Sequence, residues 1–275
     1  MDIHQKYNSL KANIASLGPV VVAYSGGVDS TLLLKVCVDV LGVDNVLACI
    51  VTGPTQPSVQ LNTAAALAEV IGVELVQVDV DLLSNEEFVA NTAERCYFCK
   101  REICKMLLAI AKDRDFANVV FGTNIDDYDD HRPGNRALTE MNILSPLAQA
   151  KLTKADIRQL SRDYDLPTAD LPANPCLVSR LQYHLPITAE RLLQVDKAEE
   201  LLGSLGFKLF RVRHHDHLAR IEVTVDDISR LTAEPVRSEV ADKLKSLGFK
   251  YVTVDIEGFR SGSLNEILCD DEKMQ

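Results

Sequence analysis

The sequence of 275 residues is short of positive charge: 29 lysines and arginines face 40 aspartates and glutamates, a formal net charge of −11. A large nucleic-acid footprint needs many cationic side chains to displace counterions, so this balance argues against one and leaves room only for a local basic pocket. No apolar run approaches the length that spans a bilayer. The first residues, Met1-Asp2-Ile3-His4-Gln5-Lys6-Tyr7, lack the basic-then-apolar order of an export signal, so the expected location is the cytoplasm. A Walker loop is missing too, because no Gly-Lys-Ser/Thr occurs. No second Cys-x-x-Cys accompanies Cys96 and Cys99, which removes a four-thiolate zinc site. In a reducing compartment the seven cysteines are expected to be buried, metal-binding or catalytic rather than disulfide-bonded.

What is present begins with 47% hydrophobic residues, enough for a sizeable core and for two domains at this length. Val20 to Tyr24 is an apolar, β-branched run of strand length. Ser25-Gly26-Gly27-Val28-Asp29-Ser30 follows as a loop, and Thr31 onward is apolar and helix-compatible. A strand, a glycine-rich turn and a helix start present unpaired N–H groups and a positive dipole end to an anion. Ser25 and Ser30 add hydroxyls. The loop is built for phosphate without a lysine point charge of its own.

The rest of the first half repeats one rhythm. An amphipathic helix over 3–17 carries Tyr7, Leu10, Ile14 and Leu17 on one face. A crossover helix over 29–41 leads to a strand at Val46–Val51. A helix over 59–71 leads to a strand at Val73–Val78, and Ala117–Phe121 is a fourth strand. Alternating strands and helices imply parallel strands joined by right-handed crossovers, with ligands at the strand C-termini. The fourth strand runs into Gly122 and an acidic loop containing Asp126, Asp127, Asp129 and Asp130, which either orients Mg²⁺ or is merely solvated. Asp127 is the preferred catalytic member. Ile143–Leu147 reads as a short strand, and Thr153 caps a helix. A Pro-rich segment leads to Cys176, and the domain boundary is placed after Leu181, giving domains of 1–181 and 182–275. In the second, Thr188 caps a helix. Phe207–Val212 and Leu218–Val223 read as paired strands around a polar His214-His215-Asp216-His217 turn, and a helix over 235–247 precedes a strand at Tyr251–Ile256. Both helices end in Ser-Leu-Gly-Phe, which suggests a small pseudo-repeated α/β domain.

Cys37, Cys49 and Cys104 lie in apolar runs and read as core. The flanks of Cys96 and Cys99 do not look like a thioredoxin-like pair that opens a helix. Three cysteines holding an iron–sulfur cluster would leave one iron open to an exogenous ligand. Cys176, in Asn174-Pro175-Cys176-Leu177-Val178-Ser179-Arg180, is the best third ligand. Reduced thiols at a helix start remain the alternative.

Ser25-Gly26-Gly27-Val28-Asp29-Ser30 resembles the PP-loop of ATP pyrophosphatases. With Arg132-Pro133-Gly134, Cys176, Arg211-x-Arg213 and Gly258-Phe259-Arg260-Ser261-Gly262, nearly the whole chain is similar to LarE-type sulfurtransferases. The resemblance implies a Rossmann-like adenine-nucleotide α-hydrolase domain with a smaller C-terminal α/β domain. It implies ATP and Mg²⁺, with Ala23, Ser25, Gly26, Gly27, Asp29, Ser30 and Gly122 around the nucleotide, and Asp29 either capping the helix or placing Mg²⁺. The implied reaction adenylylates a carboxylate of pyridinium-3,5-biscarboxylic acid mononucleotide and replaces AMP with sulfur, for nickel-pincer nucleotide synthesis. One branch sacrifices the loop cysteine, here Cys176, to dehydroalanine. The other holds a [4Fe–4S] cluster on a Cys-x-x-Cys and the loop cysteine, and with Cys96, Cys99 and Cys176 this sequence resembles that branch, which makes the sacrificial role the alternative. The substrate phosphate would be gripped by Arg211, Arg213 and Arg260, with Arg180 beside the thiolate or the phosphate, at an interface in a hexamer. A sulfide or other sulfur donor completes the partners. A tRNA thiolase, an amide-forming pyrophosphatase and a non-catalytic nucleotide sensor remain rival readings.

Overall fold

A computed structural model describes residues 2–128, 133–172 and 174–268. The chain forms two compact units, Met1–Leu82 with Cys96–Asn174, and Leu83–Arg95 with Pro175–Gln275.

The first unit begins with α1 (Ile3–Ala15), β1 (Val20–Ala23), α2 (Val28–Leu41), β2 (Val46–Thr52), α3 (Ser58–Ile71) and β3 (Glu74–Asp79). The chain passes to the second unit for the short α4 (Glu86–Val89), then returns with α5 (Arg95–Asp113), β4 (Asn118–Phe121), α6 (Gly134–Glu140), α7 (Pro146–Gln149) and α8 (Lys154–Asp163). Its four strands are parallel in the order β3-β2-β1-β4. Val20, Val21 and Val22 of the central β1 are fully buried, as a β-branched strand covered on both faces requires. Leu32, Leu33 and Leu34 of α2 and Ala64 and Ala68 of α3 pack into the same core, with Leu10 and Ile14 of α1. Chain order reverses beside β1, so the connections that leave β1 and β4 part at the strands' C-terminal ends, the position where such sheets take ligands. The fold is the Rossmann-like α/β arrangement expected from the sequence.

One element differs. Ile143–Leu147 is not a strand: Leu144 makes a single bridge to Val120, and Pro146, which has no N–H to give a ladder, opens α7 instead.

The second unit contains α9 (Ala189–Ser204), β5 (Phe210–His215), β6 (Leu218–Val223), α10 (Ile228–Thr232), α11 (Val236–Ser246) and β7 (Tyr251–Val254). Its sheet has the order β5-β6-β7, with β5 antiparallel and β7 parallel to β6. The repeated Ser-Leu-Gly-Phe performs one job twice. Gly206 and Gly248 take positive φ of 82° and 109°, and the Phe207 and Phe249 N–H groups return to the carbonyls of Leu202 and Leu244. Both rings then enter the core. Residues 83–95 belong to this unit. Asn91, fully buried, donates to the carbonyls of Gln182 and Leu185 at 2.8 and 2.7 Å, and Arg95 lies 4.1 Å from the Tyr183 ring centre. Among the described residues no helix is long and apolar enough to cross a membrane.

The expected polar histidine turn is corrected: His214 and His215 are residues of β5, and only Asp216 and His217 lie between the strands. His214 is buried against Phe249, with its Nε2 on Gln194 Oε1 at 2.8 Å. Burial, with help from Arg191, pushes its pKa down to about 4. An unfolded chain, with histidine near 6.5, binds more protons than the folded one between these values, so stability falls as the pH drops through that window. Urea unfolding is expected to show a loss of up to about 3 kcal/mol between the two pH values, and His214→Gln should flatten the slope.

Candidate active site

The Ser25–Ser30 loop connects β1 to α2 at this C-terminal edge of the sheet. The Ser30 hydroxyl receives the Ser25 N–H at 3.2 Å, sits 3.1 Å from the Ser25 hydroxyl, and donates to the Gly27 carbonyl at 3.2 Å. Gly27 is the N-cap and carries no side chain, so Asp29 is not the cap. The first-turn N–H groups therefore face outward with no side chain of the cap upon them. Gly26 has φ +74°, and a Cβ there would lie 2.6 Å from the Ala64 Cβ of α3. Gly122, at the end of β4, lets that strand run against α2: a Cβ there would sit 2.9 Å from the Ser30 nitrogen. The residues expected around the nucleotide thus converge on one corner of the first unit, Ala23 closing β1 opposite Phe121 of β4.

A lysine does reach the loop, although none is in it. Lys154, the first residue of α8, places Nζ 2.5 Å from Asp29 Oδ2. Nothing in the sequence links positions 125 residues apart, and the only local signal is the Thr153 cap before it. The acidic loop after β4 builds this geometry. Asp126 accepts the Lys154 N–H at 2.8 Å, and Asp127 accepts the Asn124 N–H at 3.0 Å. Both carboxylates shape the loop, which differs from a purely solvated acidic stretch. Asp129, Asp130, His131 and Arg132 lie outside the described residues.

The cysteines separate by environment. Cys37 and Cys49 are core thiols whose pKa values burial raises to about 12, and burial holds Cys104 at about 11. Cys96 is exposed and Cys99 half-buried. They open α5, and their spacing of three puts them on one helix face. The two rings between them in sequence carry cations: Arg136 lies 4.1 Å from the Tyr97 ring centre and Arg101 5.3 Å from that of Phe98. Two cluster ligands fit this face. Among the described residues no three His, Cys, Asp or Glu side chains gather as a metal site, and Cys176 belongs to the second unit. Cys269 lies outside the described residues.

In the second unit Cys176 begins a short turn, Leu177–Arg180, and is half-buried. Arg180 is fully buried and forks onto Glu199 at 3.0 and 2.9 Å. Its other end donates to the carbonyls of Pro175 and Cys176. Glu199 also accepts the Val212 N–H at 3.1 Å, so the Cys176 turn is pinned to β5. Arg213 donates to the Ser179 carbonyl at 3.0 Å and to the fully buried Glu222 at 2.8 Å, which also takes Arg220 and Ser263. Arg211 is buried beside Phe259, its ring centre 5.3 Å away, and burial and the Arg180 charge pull its pKa down to about 10. Arg260 is placed otherwise: it pairs with Asp255, Glu257 and Glu266 at the surface, and its neighbour Phe259 is what reaches Arg211.

Removing one partner of a buried pair strands the other's charge. Arg180→Ala is therefore expected to destabilise the protein by about 3–5 kcal/mol in urea unfolding, whereas Arg260→Ala leaves the unfolding midpoint nearly unchanged.

The NAD synthase family profile matches residues 3–126, the stretch that contains the loop and all four strands of the parallel sheet. An uncharacterized protein of Synechocystis sp. is 39% identical across 97% of this chain and 99% of its own length. An uncharacterized protein of Methanocaldococcus jannaschii is 32% identical across 88% and 91%. The pyridinium-3,5-bisthiocarboxylic acid mononucleotide synthase of Lactiplantibacillus plantarum is 37% identical across 96% of this chain and 95% of its own. Likeness of that extent covers both units, the phosphate loop and the Cys176 turn together, and the chain belongs to the LarE family of PP-loop enzymes.

Proposed function

We propose that this protein activates a carboxylate of a pyridinium mononucleotide with ATP and replaces the resulting AMP with sulfur, in the cytoplasm, where thiols stay reduced. The observation that carries the reading is the phosphate cradle between β1 and β4, in a chain 37% identical over 96% of its length to a pyridinium bisthiocarboxylic acid mononucleotide synthase.

The β- and γ-phosphates of ATP lie against the N–H groups of Gly26, Gly27 and the first turn of α2, with the Ser25 and Ser30 hydroxyls donating. Asp29 is the carboxylate placed for Mg²⁺, which when bound neutralises charge on the departing pyrophosphate. Lys154, once released from Asp29, carries its charge to the phosphates, and Asp126 and Asp127 keep its helix and loop in place. A substrate carboxylate oxygen attacks the α-phosphorus, the bond to the bridging oxygen breaks, and pyrophosphate leaves. The acyl carbon now has AMP as a leaving group. The Cys176 thiolate attacks it, and AMP departs. Loss of the Cys176 Cα proton then expels the thiocarboxylate and leaves dehydroalanine. A [4Fe–4S] cluster on Cys96, Cys99 and Cys176 would supply metal-bound sulfide in place of that thiolate. The substrate phosphate is read by Arg211 and Arg213, whose planar forks match its oxygens. Arg180 is the frame of the Cys176 turn. Assembly into a homo-oligomer follows from the resemblance.

With ATP, Mg²⁺ and pyridinium-3,5-biscarboxylic acid mononucleotide, the protein is expected to release AMP and pyrophosphate and to yield a product with sulfur in place of a carboxylate oxygen. AMP without sulfur incorporation overturns the transfer step, and absence of AMP overturns the whole reading. Cys176→Ala should keep AMP formation and lose the thiolated product. Lys154→Ala should slow adenylylation about 100-fold, the scale of removing one preorganised charge donor, with an unchanged circular dichroism spectrum.

A further inference from the structure

A side-chain relay joins the phosphate loop to the peptide that leads into Cys176. Gln60, in the first turn of α3, donates from Nε2 to the Ser25 carbonyl at 2.8 Å. Its Oε1 accepts the Asn174 Nδ2–H at 3.3 Å. Ser25, Gln60 and Asn174 all belong to the first unit. Asn174 is followed by Pro175, which locks its own φ and restricts Asn174 to extended conformations. Only Pro175 separates Asn174 from Cys176, a span of about 7 Å at most. On the far side Arg180 holds the carbonyls of both Pro175 and Cys176. A stiff dipeptide therefore runs between two anchors, one fixed by a buried ion pair and the other by an exposed amide contact that ends on the loop.

The two anchors differ in kind. The buried pair of Arg180 with Glu199 cannot open without stranding charge. The Asn174–Gln60 contact lies at the surface, where an amide hydrogen bond is weak and exchanges with water. It is the adjustable end. Gln60 ends on the carbonyl of Ser25, the residue whose N–H and hydroxyl meet Ser30. Phosphate bound in the loop fixes Ser25, and a fixed Ser25 fixes Gln60 and Asn174 in turn.

We propose that Gln60 and Asn174 are positioning residues through which nucleotide in the phosphate loop orders the backbone entering Cys176. The inference rests on the reading that this loop holds ATP and that Cys176 delivers sulfur. Its physical content is that the chain entering the Cys176 turn at Asn174 is held when nucleotide occupies the loop and freer otherwise, while Arg180 holds the far side throughout.

The test is alkylation of Cys176 in the full-length reduced protein. Iodoacetamide labelling is followed by peptide mass spectrometry, with the Cys96–Cys99 peptide as internal reference, with and without a non-hydrolysable ATP analogue and Mg²⁺. The nucleotide should slow labelling of Cys176 about threefold or more, the factor that ordering worth roughly RT produces. Asn174→Ala, which removes the donor, and Gln60→Glu, which removes the donor to Ser25 and keeps the acceptor, should each abolish the slowing. Asn174→Ala should still bind the analogue with an affinity within about twofold of the parent. Slowing that persists in both variants would mean simple shielding and overturns the proposal, as does a parent protein whose labelling ignores the nucleotide. Loss of analogue binding in Asn174→Ala also overturns it, because Asn174 would then be part of the nucleotide site. Sulfur transfer is scored separately. A nucleotide-dependent labelling rate without transfer refutes the proposed function alone, and transfer without any response refutes the relay alone.

Discussion

The first unit depends on one close approach, that of the end of β4 to the first turn of α2. Gly122 stands where any side chain would meet the Ser30 backbone, at 2.9 Å from its nitrogen. With that contact, β4 can pair with β1 through Phe121 and still deliver the next loop over the phosphate cradle. Without it the strands would part, and the loop carrying Asn124, Asp126 and Asp127 would lose its place. The same loop sets the start of α8 through Asp126, and so sets Lys154. A single absent methyl group thus links the sheet register to the position of a charge that the loop needs and does not contain.

The second unit depends on charge that is buried and answered. Arg180, Arg213 and Glu222 are all nearly or fully removed from water. Such groups are costly unless their hydrogen bonds are met, and here forks, carbonyls and the Ser263 hydroxyl meet most of them, Arg213 Nε excepted. The arrangement orients rather than stabilises in net terms. Its product is a defined turn at Cys176 and an arginine-rich interior in which Arg211 remains close to its own kind. Burial and the neighbouring Arg180 charge lower its proton affinity.

Much of this was legible residue by residue. The β-branched run before Ser25, the glycine pair and the apolar start of α2 state a strand, a turn and a helix within one short window. The Ser-Leu-Gly-Phe repeat states two helix stops in the same way. Local signals failed where a long-range contact overrode them. Ile143–Leu147 has strand residues, yet only Leu144 finds a partner, because β4 ends and Pro146 turns the chain. His214 and His215 look like turn residues by polarity, yet the sheet extends through them, with Gln194 meeting one ring nitrogen of His214 and Gln182 one of His215.

The sequence alone determined the local geometry of the phosphate loop, the parallel α/β order of the first unit and the set of cysteines that stand outside apolar runs. Those follow from steric preferences and periodicity, which act over a few residues. Only the tertiary structure decided that Lys154 sits on Asp29, that Gln60 bridges Ser25 to Asn174, that Arg180 is a frame and Arg260 a surface group, and that residues 83–95 pack with the second unit. Each of those is a meeting of side chains far apart along the chain. Such a meeting is fixed by where helices and strands pack, and no window of sequence contains that information.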